Sequence, residues 1–297
     1  MSRLAWVDVF AAARMAGNPL AVVLDAAAWS EGRMQAFAAE LGISETTFVV
    51  PATGDADHRV RIFTPLRELP MAGHPIVGTA WVLHAAGRIG ESAALETGAG
   101  VLPVRVQGQV ATMDQARPVA GPLVDAAEVG AALGLSPAPG PAAQVWSTGV
   151  PQLMVRAPDL AALEDLRPDH DELSRLGERD GWIGASVYVL PDEPGGRLRV
   201  RVRHFAPLVG VPEDPVTGSA AGALGACLAA AGMSGTDGDL EMVVLQGQEL
   251  GRPGEVAVRV ASTGGVPHRV RVGGRVVPLF EARVLDDGPP AAADGGR

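Results

Sequence analysis

The sequence predicts an α/β chain of two similar units that arose by internal duplication, each built from strands around a central apolar helix. The first observation is a repeat: Phe63-Thr64-Pro65-Leu66 returns 142 positions later as Phe205-Ala206-Pro207-Leu208. The second is a pair of segments, 73–87 and 218–232, that begin and end on glycine at an offset of 145. Both segments are apolar nearly all round, which is typical of helices enclosed by a sheet. The fold class is therefore α/β (α+β), with a curved sheet in each unit.

The elements of the first half follow from local patterns. Apolar and alternating runs predict strands at 4–10, 20–24, 46–50, 59–63, 95–106 and 109–114. Helical spacing predicts helices at 29–41 and 73–86, which Gly42 and Gly87 end. A stretch rich in Pro, Gly and Ala, 117–143, contains a short predicted helix at 126–133 and connects the halves.

The second half repeats this order. Strands are predicted at 183–190 and 201–205, a helix at 218–231, and closing strands at 241–245, 255–260, 268–272 and 276–284. We expect a first domain at 1–118 and a second at 119–285, with a final strand that could pack on either. The tail 286–297, composed largely of Pro, Gly, Ala and Asp, is expected to be disordered.

Composition excludes several classes of function. The net charge is −10 without a basic cluster, which argues against nucleic acid and anionic membranes as partners. All 24 basic residues are arginines, so a lysine Schiff base and a P-loop are excluded. Without a long apolar run or an N-terminal leader, the expected location is the cytoplasm.

Neither a metal nor a cofactor is expected. Cys227 is the only cysteine, which rules out an internal disulfide, a cysteine-rich metal site and a pair of catalytic thiols. The six histidines show no His-x-x-x-His spacing, and Gly98-Ala99-Gly100 lacks the third glycine of a dinucleotide fingerprint. We interpret that glycine segment as a turn at a strand entry or a loop of the cleft.

The two helix starts predict an anion site. The first N–H groups of a helix have no intrahelical acceptor and carry a partial positive charge. If the starts at Gly73 and Gly218 face one another, their amides and Ser219 can hold a carboxylate or a developing enolate. Glycine at both starts allows the substrate to approach the backbone closely.

The residues resemble the PhzF-like phenazine-biosynthesis isomerase family. The resemblance rests on these segments, in this order: Gly17-Asn18-Pro19, Ser44-Glu45-Thr46-Thr47-Phe48, Arg61-Ile62-Phe63-Thr64-Pro65, Glu68-Leu69-Pro70, Ala72-Gly73-His74-Pro75, Glu96-Thr97-Gly98-Ala99-Gly100 and Glu213-Asp214-Pro215-Val216-Thr217-Gly218-Ser219. It implies the diaminopimelate-epimerase-like fold, with the site between two similar domains. It also implies a homodimer and a proton shift without a cofactor.

In that fold the cysteine-dependent epimerases carry a thiol before each helix start, and those positions are Ala72 and Thr217 here. The resemblance makes Glu45 the catalytic acid/base; spacing alone leaves open a surface or capping glutamate. In the repeat we align Glu45 with Ala185, so the duplicated half lacks the carboxylate. Such asymmetry fits one group that both removes and returns a proton.

The remaining candidates each keep an alternative. The resemblance implies that His74 hydrogen-bonds the substrate or shuttles a proton, whereas a histidine at a helix start could simply cap. The resemblance also implies that Asp214 polarises His74 or holds a substrate amino or hydroxyl group, whereas a loop aspartate before Pro215 could simply form a turn. Ser219 contacts the substrate carboxylate or caps its helix. Asn18 supports either its loop or the substrate.

The favoured function is an isomerase that shifts a proton and a double bond in a small cyclic or α-substituted carboxylic acid, similar to trans-2,3-dihydro-3-hydroxyanthranilate isomerisation. Glu45, His74 and Asp214 are the predicted catalytic residues; Asn18, Gly73, Gly218 and Ser219 are the predicted substrate contacts. Two alternatives stay open. One is a binding protein without turnover, and the other is an epimerase of an amino or hydroxy acid.

Overall fold

The computed structural model describes residues 2–136, 142–191, 197–234 and 238–285. The predicted disordered tail, 286–297, lies outside these residues. The described residues form six α-helices: α1 Glu31–Leu41, α2 Gly73–Ala85, α3 Ala126–Leu133, α4 Leu160–Glu164, α5 His170–Asp180 and α6 Gly218–Ala230. A short 3-10 helix, Pro207–Val209, precedes α6.

The strands of the first half are β1 Ser2–Val9, β2 Asn18–Leu24, β3 Glu45–Val50, β4 His58–Phe63, β5 Glu68–Leu69, β6 Ser92–Thr97, β7 Gly100–Gln107 and β8 Val110–Asp114. Those of the second half are β9 Val119–Leu123, β10 Gln144–Ser147, β11 Pro151–Arg156, β12 Gly184–Val189, β13 Leu198–Ala206, β14 Val211–Asp214, β15 Leu240–Gln246, β16 Gly254–Thr263 and β17 Val266–Val284.

In the first unit, a closed ring of strands surrounds α2. The pairings run β1, β2, β3, β4, β6, β7, β8 and β17, and β17 pairs back with β1. Helix α2 contacts every strand of this ring. This explains why its sequence is apolar on almost every side: no face of the helix is turned to water for most of its length.

The second unit repeats this plan as an open sheet around α6. Its strands pair in the order β9, β10, β11, β12, β13, β15, β16 and β17. Both units contain two parallel pairs, β2–β3 and β4–β6 in the first and β11–β12 and β13–β15 in the second. All residues of α6 from Gly218 to Ala229 are buried. The central helices end alike, since Arg88 N donates to Leu83 O and Met233 N donates to Leu228 O.

Strand β17 joins the two sheets. Its first part pairs with β16, and its last part, from Val276 to Val284, pairs with β1. A single strand therefore belongs to both units, and the two predicted strands at 268–272 and 276–284 are one. The domain boundary that we place between residues 118 and 119 stays a prediction.

Outer helices cover the sheets. In the first unit α1 begins at the N-cap Ser30, whose side chain accepts a hydrogen bond from Arg33 N, and ends at Gly42 in the left-handed region. Phe37 of this helix packs in a cluster of aromatic rings between α1 and the sheet, formed by Trp29, Phe37, Phe48 and Phe63. In the second unit α3, α4 and α5 cover the sheet, with Trp182 buried among their leucines.

The prediction of a single strand at 95–106 is wrong. Residues 92–97 and 100–107 form an antiparallel pair, and the turn at Gly98-Ala99 connects them. The turn is fixed locally, because Thr97 Oγ1 accepts from Ala99 N and donates to Gly100 O. A Cβ at Gly98 would lie 2.9 Å from Pro70 Cα, so this turn packs tightly against the segment that leads to α2. In the described part of the chain, no helix combines the length and apolar character that crossing a membrane requires.

Candidate active site

The starts of α2 and α6 touch each other. A Cβ built on Gly73 would lie 2.8 Å from the backbone nitrogen of Ser219 and 3.1 Å from the carbonyl carbon of Gly218. Such a contact tolerates only glycine, because real Cβ atoms do not approach a backbone so closely. The expectation that the two helix starts face one another therefore agrees with the geometry, which brings the backbone nitrogen of Ser219 next to Gly73.

The residues before the helices act as N-caps through the backbone only. Ala72 precedes α2 and Thr217 precedes α6, and neither side chain caps its helix. His74 and Ser219 lie inside the first turns rather than at the cap positions. Neither His74 nor Ser219 is therefore the N-cap residue of its helix, contrary to the alternative interpretation of these two side chains. Ala72 and Thr217 also occupy the positions where a two-thiol enzyme would carry its cysteines, so that mechanism has no groups here.

A cavity of about 360 Å³ opens next to the helix starts. Both units contribute residues to its wall. Its lining consists of Glu45, Arg67, Glu68, Leu69, Pro70, Met71, Ala72, Gly149, Val150, Pro151, Gln152, Ile183, His204, Ala206, Val209, Val211, Asp214, Thr217 and Ser219. This size is at the lower end of the range for ligand pockets and suits a small molecule.

Glu45 is the carboxyl group best placed for chemistry. It begins β3, its side chain is 14% exposed, and its Oε2 is buried without a hydrogen-bond partner. Burial, and then the negative charge of Asp214, raise the pKa of Glu45 to about 8. The raised pKa favours the protonated form of Glu45, and its Oε2 lies 3.6 Å from His74 Nδ1.

Asn18 is the centre of the polar network. Its Nδ2 donates to Asp214 Oδ1 and to the Val216 carbonyl, both at 2.9 Å, and lies 3.2 Å from His74 Nδ1. Its Oδ1 accepts from Ser44 Oγ at 3.0 Å. Asn18 is fully buried and does not line the cavity. Of its two predicted roles, the contacts favour the support of neighbouring side chains and loops.

Asp214 is held from several sides. Thr217 Oγ1 donates to its Oδ2, and Gln246 Nε2 donates to its backbone carbonyl. Gln246 also accepts from Thr217 N, so one buried amide fixes the loop before α6. Burial raises the pKa of Asp214, while the hydrogen bonds from Thr217 and Asn18 oppose that rise. With two donors on its carboxylate, Asp214 carries the negative charge of the pair more readily than Glu45.

His74 lies behind Glu45. Its Nδ1 is 3.6 Å from Glu45 Oε2, and its Nε2 is buried without a partner. Burial lowers the pKa of His74 to about 3, so the ring is neutral and the approach to Glu45 is not an ion pair. Asn18 lies between His74 and Asp214. In the described part of the chain Asp214 therefore makes no direct hydrogen bond to His74 through which it could polarise the ring.

The structure therefore brings together all seven predicted site residues. Glu45, Asp214 and Ser219 line the cavity, Gly73 and Gly218 form the helix contact beside it, and Asn18 and His74 support it from behind. One correction concerns the repeat. Leu20 pairs with Glu45 as Gln152 pairs with Gly184, and Thr46 pairs with Phe63 as Ala185 pairs with Phe205. The position equivalent to Glu45 in the second unit is thus Gly184 and not Ala185. The second unit still lacks the carboxylate.

Sequence reasoning missed three polar residues of the site: Gln152, His204 and Gln246. Each is almost fully buried, and the first two line the cavity. A signal was present for two of them. The repeat places Gln152 and His204 at the positions of Leu20 and Ile62, so polar residues replace apolar core residues in the second unit. In the described part of the chain, no group of three or more His, Cys, Asp or Glu side chains is arranged to hold a metal ion.

The fold is a two-unit epimerase-like architecture, in which a buried carboxyl lies beside paired helix starts. Comparison with known proteins agrees with this fold. The chain has a TM-score of 0.66 with a probable proline racemase from Agrobacterium radiobacter, covering 97% of this chain and 94% of that one at 13% identity. That likeness concerns the fold alone.

The chain belongs to the family described as phenazine biosynthesis-like proteins, whose sequence profile matches residues 7–282. It is 37% identical over 284 residues to a trans-2,3-dihydro-3-hydroxyanthranilate isomerase from Pseudomonas chlororaphis, covering 94% of this chain and 98% of that one. A solved PhzF-family structure from Bacillus anthracis superposes with a TM-score of 0.85 at 29% identity, covering 96% of this chain and 99% of that chain. The predicted family, fold class and isomerase class are confirmed.

Proposed function

We propose that this chain is a cofactor-independent isomerase that moves a proton, and with it a double bond, within a small cyclic carboxylic acid. The observation that carries the proposal is Glu45: a carboxyl at the cavity wall whose pKa is raised and whose Oε2 is buried without a hydrogen-bond partner. A pKa near the working pH suits a group that must both accept and return a proton.

The helix starts support a carboxylate substrate. The N–H groups of the first turns of α2 and α6 have no intrahelical acceptor, and both helices direct the positive ends of their dipoles to the contact between Gly73 and Gly218. A substrate carboxylate held there gains charge-assisted hydrogen bonds without any basic side chain. Arg67 is an exposed residue of the cavity lining and adds a positive charge, and no described residue forms an ion pair with it. The helix starts and Arg67 both favour an anion.

The proposed reaction has two proton transfers. Glu45 in its ionised form takes a proton from a carbon of the ring, and the electron pair left behind shifts along the conjugated system toward the carboxylate. The backbone N–H groups at the helix starts stabilise this negative charge, an effect worth about 3 to 4 kcal/mol for one well-placed donor. The proton on Glu45 exchanges with the solvent, and Glu45 then delivers a solvent-derived proton to a different carbon. The ring is isomerised, and Glu45 is again ionised.

Support for the substrate class comes from the relative named as a trans-2,3-dihydro-3-hydroxyanthranilate isomerase. We extend to this chain the chemical class of that compound, a cyclic acid with an amino and a hydroxyl substituent. In this proposal Asp214 and Ser219, which line the cavity, orient the substrate. His74 and Asn18 act behind them by fixing Glu45 and Asp214.

The test is incubation of the protein in deuterated water with a panel of cyclic amino and hydroxy acids, followed by mass spectrometry and chiral separation. The proposal predicts an isomerised product that carries one solvent deuterium. Racemisation without isomerisation would instead establish the epimerase alternative, and binding without label would establish a binding protein. The variant Glu40→Gln, an exposed glutamate of α1, serves as a matched control and should behave as the wild type.

Two further expectations stay predictions. The predicted homodimer can be measured by light scattering of the full chain at several concentrations, where a mass near twice 30.4 kDa is expected. The predicted cytoplasmic location can be measured by fractionation of the cells that produce the protein.

A further inference from the structure

A second polar group of the cavity lies in the unit opposite Glu45. His204 and Gln152 are 2% and 3% exposed, and both line the cavity wall. Gln152 lies on β11 and His204 on β13, the two strands that flank β12, and Gly184 of β12 lies between them. A Cβ at Gly184 would lie 2.6 Å from His204 Nε2 and 3.0 Å from Gln152 Oε1, so glycine makes the room in which the two polar atoms come together.

The hydrogen bonding of His204 fixes which nitrogen carries the proton. Its Nδ1 is 2.8 Å from Ser186 Oγ, and Ser186 is fully buried. Among the described residues Ser186 Oγ has no other partner. If Nδ1 carried the proton, the serine hydroxyl proton would be buried without an acceptor, which costs free energy. The arrangement that satisfies both groups has Ser186 donating to Nδ1, which leaves an N–H donor at Nε2.

Gln152 supplies the complementary group. Its Oε1 is buried and has no hydrogen-bond partner in the described part of the chain. Buried polar atoms are normally paired, and an exception at a cavity wall points to a partner that the ligand brings. The two side chains thus offer one donor and one acceptor. Burial also lowers the pKa of His204 to about 3, so the imidazole itself is neutral.

We propose that His204 and Gln152 recognise a hydroxyl group of the substrate. A hydroxyl can accept from His204 Nε2–H and donate to Gln152 Oε1 at the same time, whereas a carboxylate can only accept and would leave Gln152 Oε1 without a donor. This inference rests on the proposed function and deepens it: the helix starts hold the carboxylate, Glu45 moves the proton, and the second unit selects a hydroxylated ring.

The repeat shows how this division arose. In the first unit the equivalent positions are Leu20 for Gln152, Glu45 for Gly184 and Ile62 for His204. One copy therefore carries a carboxyl between apolar neighbours, while the other carries glycine between an imidazole and an amide. The scaffold is the same in both units, but the two walls of the cavity present different chemistry to opposite sides of one ligand.

The experiment compares two stable aromatic analogues that differ by one hydroxyl, 3-hydroxyanthranilate and anthranilate, by isothermal titration of the whole protein. The wild type should bind the hydroxylated compound at least about tenfold more tightly, the factor expected for a satisfied buried hydrogen-bond pair. Gln152→Leu and His204→Phe should each remove most of this preference, through weaker binding of 3-hydroxyanthranilate, while the Kd of anthranilate stays within about twofold. Equal affinity of the wild type for both, or no binding of either, would overturn the proposal.

Two more variants separate recognition from a general loss of structure. Gly184→Ala removes no polar group but places a Cβ against the imidazole, and it should reduce the preference in the same way. His268→Phe changes an exposed histidine of β17 that does not line the cavity and should keep the full preference. His268→Phe is expected to keep the preference for the hydroxyl. If Gly184→Ala kept it as well, His204 would not be the recognising group.

The failure of this inference is distinguishable from failure of the proposed function. Glu45→Gln should abolish isomerisation yet keep the tenfold preference for the hydroxyl. A protein that isomerises its substrate without hydroxyl preference would retain the proposed function and refute the recognition site.

Discussion

Replacing Glu45 by glutamine should stabilise the protein, and the gain should grow with pH. The ordinary pKa of a glutamate is 4.5, whereas burial first, and the charge of Asp214 next, raise the pKa of Glu45 to about 8 in the folded chain. Between these pH values the folded chain holds a proton that the unfolded chain has lost. Stability therefore falls as the pH rises through this window. Glutamine has no charge to bury and removes this loss.

The magnitude follows from the two pKa values. A difference of about 3.5 in pKa corresponds to an upper limit of about 5 kcal/mol, at about 1.4 kcal/mol for each tenfold change in proton affinity. Glu45 titrates together with Asp214, so part of this free energy arises from the interaction between the two carboxyls. We therefore expect Glu45→Gln to gain about 2 kcal/mol in the free energy of unfolding at pH 8.5. At pH 5 the carboxyl is already protonated in the folded chain, and the gain should be close to zero.

The assay is urea unfolding of Glu45→Gln and wild type at pH 5, 7 and 8.5, with Glu40→Gln as the exposed control. The difference in the free energy of unfolding between Glu45→Gln and the wild type should grow as the pH rises. Glu40→Gln should have the same free energy of unfolding as the wild type at each pH. A melting experiment should show about 4 °C of added thermal stability at pH 8.5. An equal effect at all three pH values, or a loss of stability at pH 8.5, would refute the reasoning that Glu45 is a carboxyl kept protonated by burial.

Three other predictions follow from the same geometry. The kcat/KM of the isomerisation should rise from pH 6 and level off above about 8, because Glu45 must lose its proton to act as a base; a flat profile would contradict this. Gly73→Ala should cost about 1 to 3 kcal/mol in urea unfolding and more than tenfold in kcat/KM, because its Cβ overlaps the facing helix start, whereas Gly32→Ala in α1, with open space around it, should cost neither. Asn18→Ala should lower the free energy of unfolding by about 1 to 3 kcal/mol and reduce kcat, because Asp214 loses a buried donor; unchanged kcat would show that this network does not position the site.

The sequence predicts the scaffold well wherever burial leaves a regular pattern. The segments 73–85 and 218–230 are apolar on every side because sheets enclose them, and that pattern has few other interpretations. The glycine contacts at the helix starts are predictable too, because the repeat marks both. The hairpin at Gly98-Ala99 is not visible in the same way, since two short strands with a two-residue turn look like one long apolar run.

The site is predictable only in part, because its polar contacts depend on long-range pairing. Glu45, His74 and Asp214 lie far apart in sequence, and only the resemblance to a family connects them before the fold is known. Gln152 and His204 lie outside the segments on which the family resemblance rests. Their proposed role depends on the strand register, which places both side chains at the cavity. A shift of one residue, such as our alignment of Glu45 with Ala185, moves a side chain to the opposite face of the sheet and hides that relation.

The central claim is that Glu45 is the group that moves the proton, and one measurement tests it directly. Wild type and Glu45→Gln are each incubated in deuterated water with trans-2,3-dihydro-3-hydroxyanthranilate, while product and deuterium content are followed by mass spectrometry. The wild type should form an isomerised, singly labelled product, and the variant should lose at least about 10² in rate while still binding 3-hydroxyanthranilate. Labelled product at the wild-type rate from the variant would contradict the claim.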